Sequence, residues 1–528
     1  MALHQPPVYR MPAELLMETF EWLGASYYED ALSDDFLKFS IRIAVSQVCR
    51  FWRTIALACP ALWTDIPTHH AELADISLQR SRTWPIALYA HFDAPPAGRT
   101  RSRMDVVLAC LQRVGSVSVL RVESENMQDM LRIIDPALLS SAPRLEELAL
   151  DGVNIPSNIF SGETPPQLKI LDLFNCTLSS SSCLLGPSLT ELKLHLASSP
   201  WRSVDEILTL LRRMPSLEEV CFEGNALDFS FTFESPPEYR VLLTELFYLC
   251  LEGEFQILEA LVLCIAGPIH SKLGLKITST EPDFAWDDEG PGLVKGRFQS
   301  EHKEFLSFRH VSLTDSAEFG QRTVQLHCSG ARPLRRGIDV PGYISLPDVF
   351  ELELCVPTGD WPEPPYLGTI ANICSALPLG NVENITLKGR SAVTETEHYL
   401  DILYSIGTRA KALHVNSDVK LFSLLSCQTL STCPLPASSR YHLPPCLPQL
   451  RHLTLTGGEY LTSPRDDDWQ RTTFGSLVRA YAGTQAPANR DKRHLTLAKC
   501  KISLEAWEML QEKLGEDFVA EEDCEIRA

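Results

Sequence analysis

The sequence predicts an α/β fold in which a small N-terminal α-helical module precedes a long, irregular solenoid of parallel strands and helices. Three observations lead to this prediction. Apolar residues in the first sixty positions recur every three or four residues, which is the spacing of a buried helix face. Further along the chain, a leucine-spaced segment returns many times with a period typical of stacked structural units. Segments with helical spacing separate several of its copies.

The first helix is predicted within residues 11–24. Pro12 suits the first turn of a helix, where its missing N–H is not needed, and Gly24 suits the C-terminal end. The apolar residues form two stripes, Leu16, Phe20 and Leu23 in one and Leu15 and Trp22 in the other. Two stripes predict two buried faces, which is one more than a surface helix requires.

A second helix is predicted through Val45 and as far as Ala58, because Pro60 prevents its continuation. Its apolar positions form one wide stripe, with Ile41, Ala44, Val48, Trp52 and Ile55 at the centre and Val45, Cys49 and Ala56 beside them. A lone helix of this length is marginally stable in water, so the stripe requires partners.

These segments together resemble an F-box, and more narrowly the F-box proteins with C-terminal leucine-rich repeats that are abundant in mushroom-forming (basidiomycete) fungi. The matching pieces occur in the family's order: Pro12 to Leu23, Ser46 to Ala56, Pro60 to Trp63 and then Leu78 to Ile86. Met11 stands where the family usually has Leu, and residues 24–40 form a longer, acidic insertion. The resemblance covers residues 8–90.

The resemblance implies that the module docks onto a small Skp-type adaptor, which in turn binds a cullin. The adaptor-binding residues that it implies are Pro12, Leu15, Leu16, Phe20, Val45, Val48, Cys49 and Trp52. Of these, we expect Leu15, Val45 and Cys49 to form the outward stripe and Trp52 to pack between the helices. The alternative is an ordinary closed helical core, which periodicity alone favours.

A second self-similar pattern begins after a Pro- and Gly-containing linker at 93–99. Its early copies share the spacing Leu-x-x-Leu-x-Leu, with first residues at Leu145, Leu168, Leu189 and Leu217, preceded by a related segment from Val117 to Val122. The intervals fit leucine-rich repeats of about 20–29 residues. A proline stands two residues before each of the four, where it ends the preceding helix or turn.

The remaining elements fit a repeat of strand, turn and helix. Ser203 to Met214 reads as a capped helix, a further helix is predicted near Leu243 to Cys264, and a strand near Phe308 to Leu313. The leucine spacing returns from Val349, Val382 and Leu450, with helices near 396–405, 469–481 and 504–514. The alternative is an α/β core with accidental matches.

The predicted domains are an F-box at 8–67, a connecting helix and linker at 68–99, the leucine-rich-repeat-like solenoid at 100–515 and an acidic tail at 516–528.

Alternation along each strand predicts which residues face outward for binding. In the early repeats this outward set is acidic, and the candidate substrate-binding residues are Glu147, Asp151, Asp172, Glu191, Glu219 and Glu223. In the late repeats it is near neutral to basic, with Asn384, Thr386, Lys388, His452, Thr454, His494 and Thr496. A basic segment of a protein substrate suits the early set, whereas the alternative is a merely solvated face.

Composition narrows the possible functions. The net charge of −21 and the pI near 5.1 argue against general affinity for nucleic acid or an anionic membrane. The 16 cysteines are scattered without a C-x-x-C pair, which does not favour a zinc site. With no recognisable catalytic motif, we predict no catalytic, cofactor-binding or metal-ligating residue and no cofactor. The absence of a signal-peptide pattern predicts a cytoplasmic or nuclear protein.

The resemblance therefore implies a non-catalytic subunit of a cullin-type (SCF-like) E3 ubiquitin ligase, which recognises substrates. The alternative is an F-box and solenoid scaffold that binds proteins without directing ubiquitin transfer.

Overall fold

The computed structural model shows an α/β protein with mostly parallel sheets. It divides into two compact units, Met1–Ser230 and Phe231–Ala528. It describes residues 11–25, 42–68, 70–92, 100–113, 117–124, 138–229, 240–268, 271–278, 308, 310–318, 321–329, 350–357, 374, 377, 379, 382–389, 403, 409–417, 450–456, 459–460, 494–504, 507–508, 511, 518–520 and 524–527.

The first unit begins with a helical module. It contains α1 (Ala13–Ala25), a short helix at 42–47, α2 (Arg50–Ala58) and a 3₁₀ turn (Pro60–Trp63). Its apolar side chains form one core, in which the buried members are Leu16, Phe20, Val45, Ile55, Ala56, Cys59, Leu62 and Trp63. The acidic insertion lies largely at 26–41, outside the described residues.

The single helix predicted through Val45 and Ala58 is wrong, because the structure breaks it at Val48 and Cys49. Cys49 has an extended backbone, with φ −160° and ψ 171°, and its sulfur accepts a hydrogen bond from the Trp52 N–H at 3.4 Å. It therefore caps the N-terminus of α2, a position usually taken by Ser, Thr, Asp or Asn. The break rotates the helix before it, which moves Val45 into the core and leaves Val48 exposed.

A buried ion pair joins the helical module to the first strand of the sheet. The Arg42 guanidinium bonds both the carboxylate and the backbone carbonyl of Asp65, the first residue of β1 (Asp65–Pro67). Both side chains are largely shielded from water, so each charge depends on the other. Nearby, the Trp63 indole N–H donates to the Ala56 carbonyl at 2.8 Å.

Seven strands form the sheet of the first unit, and each pairs in parallel with the next along the chain. After β1 they are β2 (Ile86–Phe92), β3 (Val117–Ser124), β4 (Glu147–Asp151), β5 (Ile170–Cys176), β6 (Glu191–Leu196) and β7 (Glu219–Gly224). Between them lie α3 (Ala71–Ser81), α4 (Thr100–Leu111), a 3₁₀ turn (Ile159–Gly162) and α5 (Val204–Arg212), and the 3₁₀ turn Asn225–Leu227 follows β7.

The leucine spacing predicted β3 to β7 correctly, and the capped helix is α5, with the Ser203 hydroxyl accepting from the Glu206 N–H. The second residues of the template stand opposite one another in the sheet and are fully buried: Leu148, Leu171, Leu192 and Val220. The sheet also begins earlier than predicted. β1 lies within the predicted F-box and β2 within the segment predicted as a connector and linker.

The second unit also has a mainly parallel sheet. Its described strands are β8 (Val241–Leu242), β9 (Tyr248–Gly253), β10 (Ile265–Ala266), β11 (Lys272–Thr278), β12 (His310–Glu318), β13 (Gln321–Ser329), β14 (Phe350–Pro357), β15 (Asn384–Gly389), β16 (Ala412–Ser417), β17 (His452–Thr456), β18 (Glu459–Tyr460), β19 (His494–Ala498), β20 (Lys501–Ser503), β21 (Phe518–Ala520) and β22 (Glu525–Arg527). One helix is described in full, α6 (Phe255–Cys264).

Strand order in this unit departs from chain order at one place. β11 pairs with β14 rather than with β12, and β13 runs antiparallel between β14 and β12. From β12 the sheet continues in parallel through β15, β16, β17, β19 and β21. Two small parallel sheets are separate from this one. In the first, β8 pairs with β10, and in the second, β20 pairs with both β18 and β22.

The helix predicted near Leu243 to Cys264 is only half correct, because its first part is β9. Leu246, Leu249 and Leu251 follow the same leucine spacing as the early strands and are buried, which the apolar run concealed. The late strands predicted from Val349, Val382 and Leu450 are β14, β15 and β17. The predicted helices at 396–405 and 469–481 lie almost entirely outside the described residues. No helix among those described combines the length and the apolar character needed to cross a membrane.

The inner face of the first sheet should dominate stability in this unit. Phe222 in β7 is completely buried and its ring lies 5.4 Å from that of Trp201. We expect Phe222→Ala to lower the free energy of unfolding by about 3–5 kcal/mol, measured by urea denaturation with circular dichroism. The control is Phe174→Ala on the opposite face, where the side chain is half exposed, and its cost should stay within about 0.5 kcal/mol. Equal losses would contradict this packing.

Candidate functional site: two interaction surfaces

The first candidate surface is an apolar patch on the helical module. Four large apolar side chains remain exposed there, with exposed fractions of 39% for Met11, 51% for Leu15, 73% for Trp22 and 58% for Val48. We call these four residues the apolar patch. An exposed Trp is costly to hydrate, and Trp is enriched among residues that dominate protein interfaces.

Helix geometry explains why α1 carries both a core and a patch. At about 100° per residue, Leu15 and Trp22 point in nearly the same direction, whereas Phe20 points about 140° away. Phe20 is completely buried in the module core and Leu16 almost so. Leu16 and Phe20 of the first predicted stripe are therefore packed inside the module, and Leu15 and Trp22 of the second face outward.

The predicted adaptor-binding residues separate into two groups. Pro12, Leu15 and Val48 are exposed. Leu16, Phe20 and Val45 are buried in the core of the chain itself, so they support the surface from inside rather than form it. For Val45 this corrects the expected outward position, and the cause is the helix break at Cys49. Trp22 and Met11 complete the exposed set, and the signal for Trp22 was its spacing of seven from Leu15.

Trp52 and Cys49 have internal roles. The Trp52 ring meets that of Phe20 edge to face, with centroids 5.3 Å apart and planes at 61°. It therefore packs between α1 and α2, as expected. Its indole N–H is buried and has no acceptor among the described residues. Cys49 is half-buried as the cap of α2.

The second candidate surface is the outward side of β3 to β7, which we call the outer face. Cross-strand pairing aligns its side chains in three rows. The rows are Val119, Glu147, Ile170, Glu191 and Glu219; Arg121, Ala149, Asp172, Lys193 and Cys221; and Asp151, Phe174, His195 and Glu223. All six predicted substrate-binding acids lie on this face and none is buried.

Bases of the same face bind several of these acids. Arg121 forms an ion pair with Glu147. Burial alone would lower the pKa of Arg121, but the charge and hydrogen bond of Glu147 outweigh it, so the pKa of the guanidinium is raised. The sequence predicts Glu147 as an acid available to a substrate but gives no sign of Arg121, its partner on the preceding strand. The ion pair leaves Glu147 less available than predicted.

Lys193 bridges two further acids, with its Nζ 3.3 Å from Glu191 and 3.1 Å from Glu219. Partial burial lowers the pKa of Lys193, but the two carboxylates raise it by more, so the ammonium stays charged. The single positive charge of Lys193 therefore interacts with two carboxylates. Six carboxylates against Arg121 and Lys193 leave the outer face acidic, although less so than the list of acids suggests.

The third row contains an exposed aromatic ring. Phe174 is 51% exposed, and its ring centroid lies 4.4 Å from that of His195. The His195 Nδ1 in turn lies 3.5 Å from a carboxylate oxygen of Glu223. A side chain at position 224 would press on this histidine, since a Cβ there would come within 2.9 Å of the His195 ring. Gly224 therefore makes room for the ring beside Phe174.

The outer side of the second sheet has a different character. His452 and His494 stack with centroids 5.3 Å apart, and His414 Nε2 lies 2.8 Å from the Thr456 hydroxyl. Asn384 contacts His310 at 2.9 Å. None of the outward residues predicted for the late repeats is buried: Lys388 and His452 are exposed, and Asn384, Thr386, Thr454, His494 and Thr496 are partly exposed.

Comparisons of this chain with protein-family models, with curated proteins and with solved structures found no match.

The ion pair of the outer face should contribute measurably to stability. Arg121→Met leaves the Glu147 carboxylate, whose side chain is 14% exposed, without its guanidinium, and we expect a loss of about 1–3 kcal/mol in the free energy of unfolding. The double variant Arg121→Met/Glu147→Leu should recover most of the loss, because no shielded charge remains. Urea denaturation measures both.

The matched control is Lys169→Met, which removes the exposed ion pair with Glu146. Exposed pairs contribute little, so the cost should stay below about 1 kcal/mol. A loss as large for Lys169 as for Arg121 would show that the half-buried pair has no special importance.

Proposed function

We propose that this chain is the substrate-recognition subunit of a cullin-type (SCF-like) E3 ubiquitin ligase. The helical module is the F-box that docks a Skp-type adaptor. The sheet-containing remainder is an irregular leucine-rich-repeat solenoid that binds a protein substrate. The chain performs no chemistry in this role, because holding a substrate lysine near the charged conjugating enzyme is enough to accelerate transfer.

The apolar patch is the observation that carries the proposal. The described residues of the module form a core that does not include Leu15 or Trp22, and both lie exposed on the same outward stripe of α1. Burying apolar side chains in an interface stabilises the complex by about 25 cal/mol per Å² of apolar surface removed from water. A large aromatic side chain commonly dominates the binding energy of an interface. An apolar partner surface therefore suits the patch, as the resemblance to an F-box implies.

The strand arrangement supports the repeat part of the proposal. In the first unit, successive strands pair in parallel and in chain order, and the leucine template starts again every 21 to 28 residues from Leu145 to Leu217. A repeat that buries its leucines against its neighbours in this way leaves an aligned outward face for binding. In the second unit the antiparallel β13 interrupts the regularity, which is why we call the solenoid irregular.

The test of adaptor docking is a pair of substitutions in the full chain. We expect Leu15→Ala and Trp22→Ala each to weaken binding of a purified Skp-type adaptor about tenfold or more, since hot-spot truncations cost about 2 kcal/mol or above. Isothermal titration calorimetry gives the affinity. Trp84→Ala is the matched control, because Trp84 is also an exposed Trp of the first unit but lies after α3; its affinity should be unchanged.

Wild-type affinity in both Leu15→Ala and Trp22→Ala, or no adaptor binding by the unaltered chain, would refute the proposal. Adaptor binding without ubiquitin transfer to any bound protein would indicate a scaffold instead. Point substitutions are preferable to deletion of residues 1–67, because that deletion also removes β1 and its ion pair with Arg42.

A further inference from the structure

An irregularity in β5 sets the direction of the exposed Phe174 side chain. β5 contains a bulge after this residue, where the pairing with β6 shifts between Phe174 and Cys176. The extra residue, Asn175, has φ +48°, a left-handed conformation that Asn tolerates better than most residues. Bulges of this kind re-aim side chains and often lie near functional sites. Here the bulge keeps Cys176 inside and leaves Phe174 outside.

The backbone at the bulge is pinned by hydrogen bonds. The Phe174 carbonyl accepts from the Gly152 N–H at 2.6 Å and from the Cys176 thiol at 3.2 Å. The thiol also lies 3.3 Å from the Leu150 carbonyl. Burial raises the pKa of Cys176 to about 12, so the sulfur keeps its proton for these contacts. A backbone fixed in this way needs little rearrangement on binding, which favours affinity.

The charges around Phe174 determine what it can bind. Asp151 stands directly opposite it on β4, and Asp172 lies two positions earlier on β5, on the same face. Beyond the ring of His195, Glu223 adds a third carboxylate. Arg121 and Lys193 lie in the neighbouring row together with Asp172, which stands directly opposite Lys193. Asp151 and Glu223 are therefore the carboxylates of the row that contains Phe174. An aromatic face flanked by carboxylates attracts cations, because the ring presents its negative quadrupole and the carboxylates their charge.

We propose that Phe174 anchors an arginine side chain of an extended basic segment in the protein that the outer face binds, which deepens and rests on the proposed substrate-binding role. The guanidinium stacks on the exposed ring, and its N–H groups point to the carboxylate of Asp151, which stands opposite Phe174. Arginine suits this arrangement better than lysine, since its planar group stacks on aromatic rings and bonds carboxylates in pairs.

The proposal is tested with the full chain and a synthetic probe. The probe is a fluorescein-labelled Gly/Ser peptide carrying three arginines, and its neutral counterpart carries citrulline at the same positions. Fluorescence anisotropy gives the dissociation constant. We expect the arginine peptide to bind at least tenfold more tightly than the citrulline peptide, and more weakly as salt is added because charges are screened.

Two substitutions test the anchor itself. Phe174→Ala should weaken binding of the arginine peptide about tenfold, which corresponds to about 1.4 kcal/mol. Phe174→Leu, which keeps an apolar side chain but has no aromatic face, should weaken it by a similar factor. The matched control is Phe247→Ala, because Phe247 is equally exposed, at 51%, but lies in the second unit; it should bind as the unaltered chain does. Unchanged melting temperatures establish that the variants fold.

The proposal is overturned if the unaltered chain does not bind the arginine peptide, if the citrulline peptide binds equally well, or if Phe174→Ala and Phe174→Leu bind as tightly as the unaltered chain. Adaptor binding measured on the same samples separates the two proposals. All Phe174 variants should still bind the adaptor. A variant that binds the adaptor but no longer binds the arginine peptide therefore bears on the anchor alone. If the unaltered chain binds the arginine peptide but does not bind the adaptor, only the ligase role is refuted.

Discussion

In-register parallel pairing of neighbouring strands is the constraint on which the rest of the structure depends. Leu148, Leu171 and Leu192 stand opposite one another and are fully buried. Because side chains alternate along a strand, a slip of one residue would bury the charged row and expose the leucines. The same register that builds the core therefore builds the outer face, and it brings Lys193 between Glu191 and Glu219. The inner side of the sheet thus carries the core, and its outer side carries the charged groups.

The helical module is continuous with this sheet. Arg42 reaches from the helix at 42–47 to the first residue of β1, and both charged groups are shielded from water. Removing either partner of a shielded pair is costly, because it leaves an uncompensated charge. In the first unit, the apolar patch and the outer face thus belong to one compact body. A partner bound to the module is held in a defined relation to anything bound by β3 to β7.

Sequence reasoning predicted the strands that repeat a local pattern and missed features that depend on distant residues. The template found β3 to β7, because the spacing of the apolar residues is a local pattern that each of these strands repeats. It could not predict β13, which carries no leucine spacing and runs against its neighbours. The burial of Val45 and the exposure of Val48 were also not predictable. They follow from the helix break at Cys49, and cysteine is not a usual helix cap. Alternation identified the outward acids, but it could not show that Arg121 of β3 binds Glu147 of β4 or that Lys193 of β6 binds Glu219 of β7.

The detour around β13 has a consequence for how the chain is made. A ribosome delivers β11 well before β14, which begins at Phe350, yet β11 pairs with β14 and not with the intervening strands. Strand-by-strand growth from the N-terminus therefore halts at β11, and β12 to β14 must associate as an antiparallel group before the sheet can close. Contacts distant in sequence form slowly, and an edge left unpaired during synthesis can associate with other chains. During synthesis the edge of β11 therefore stays without its later partner until residues beyond Phe350 have been made.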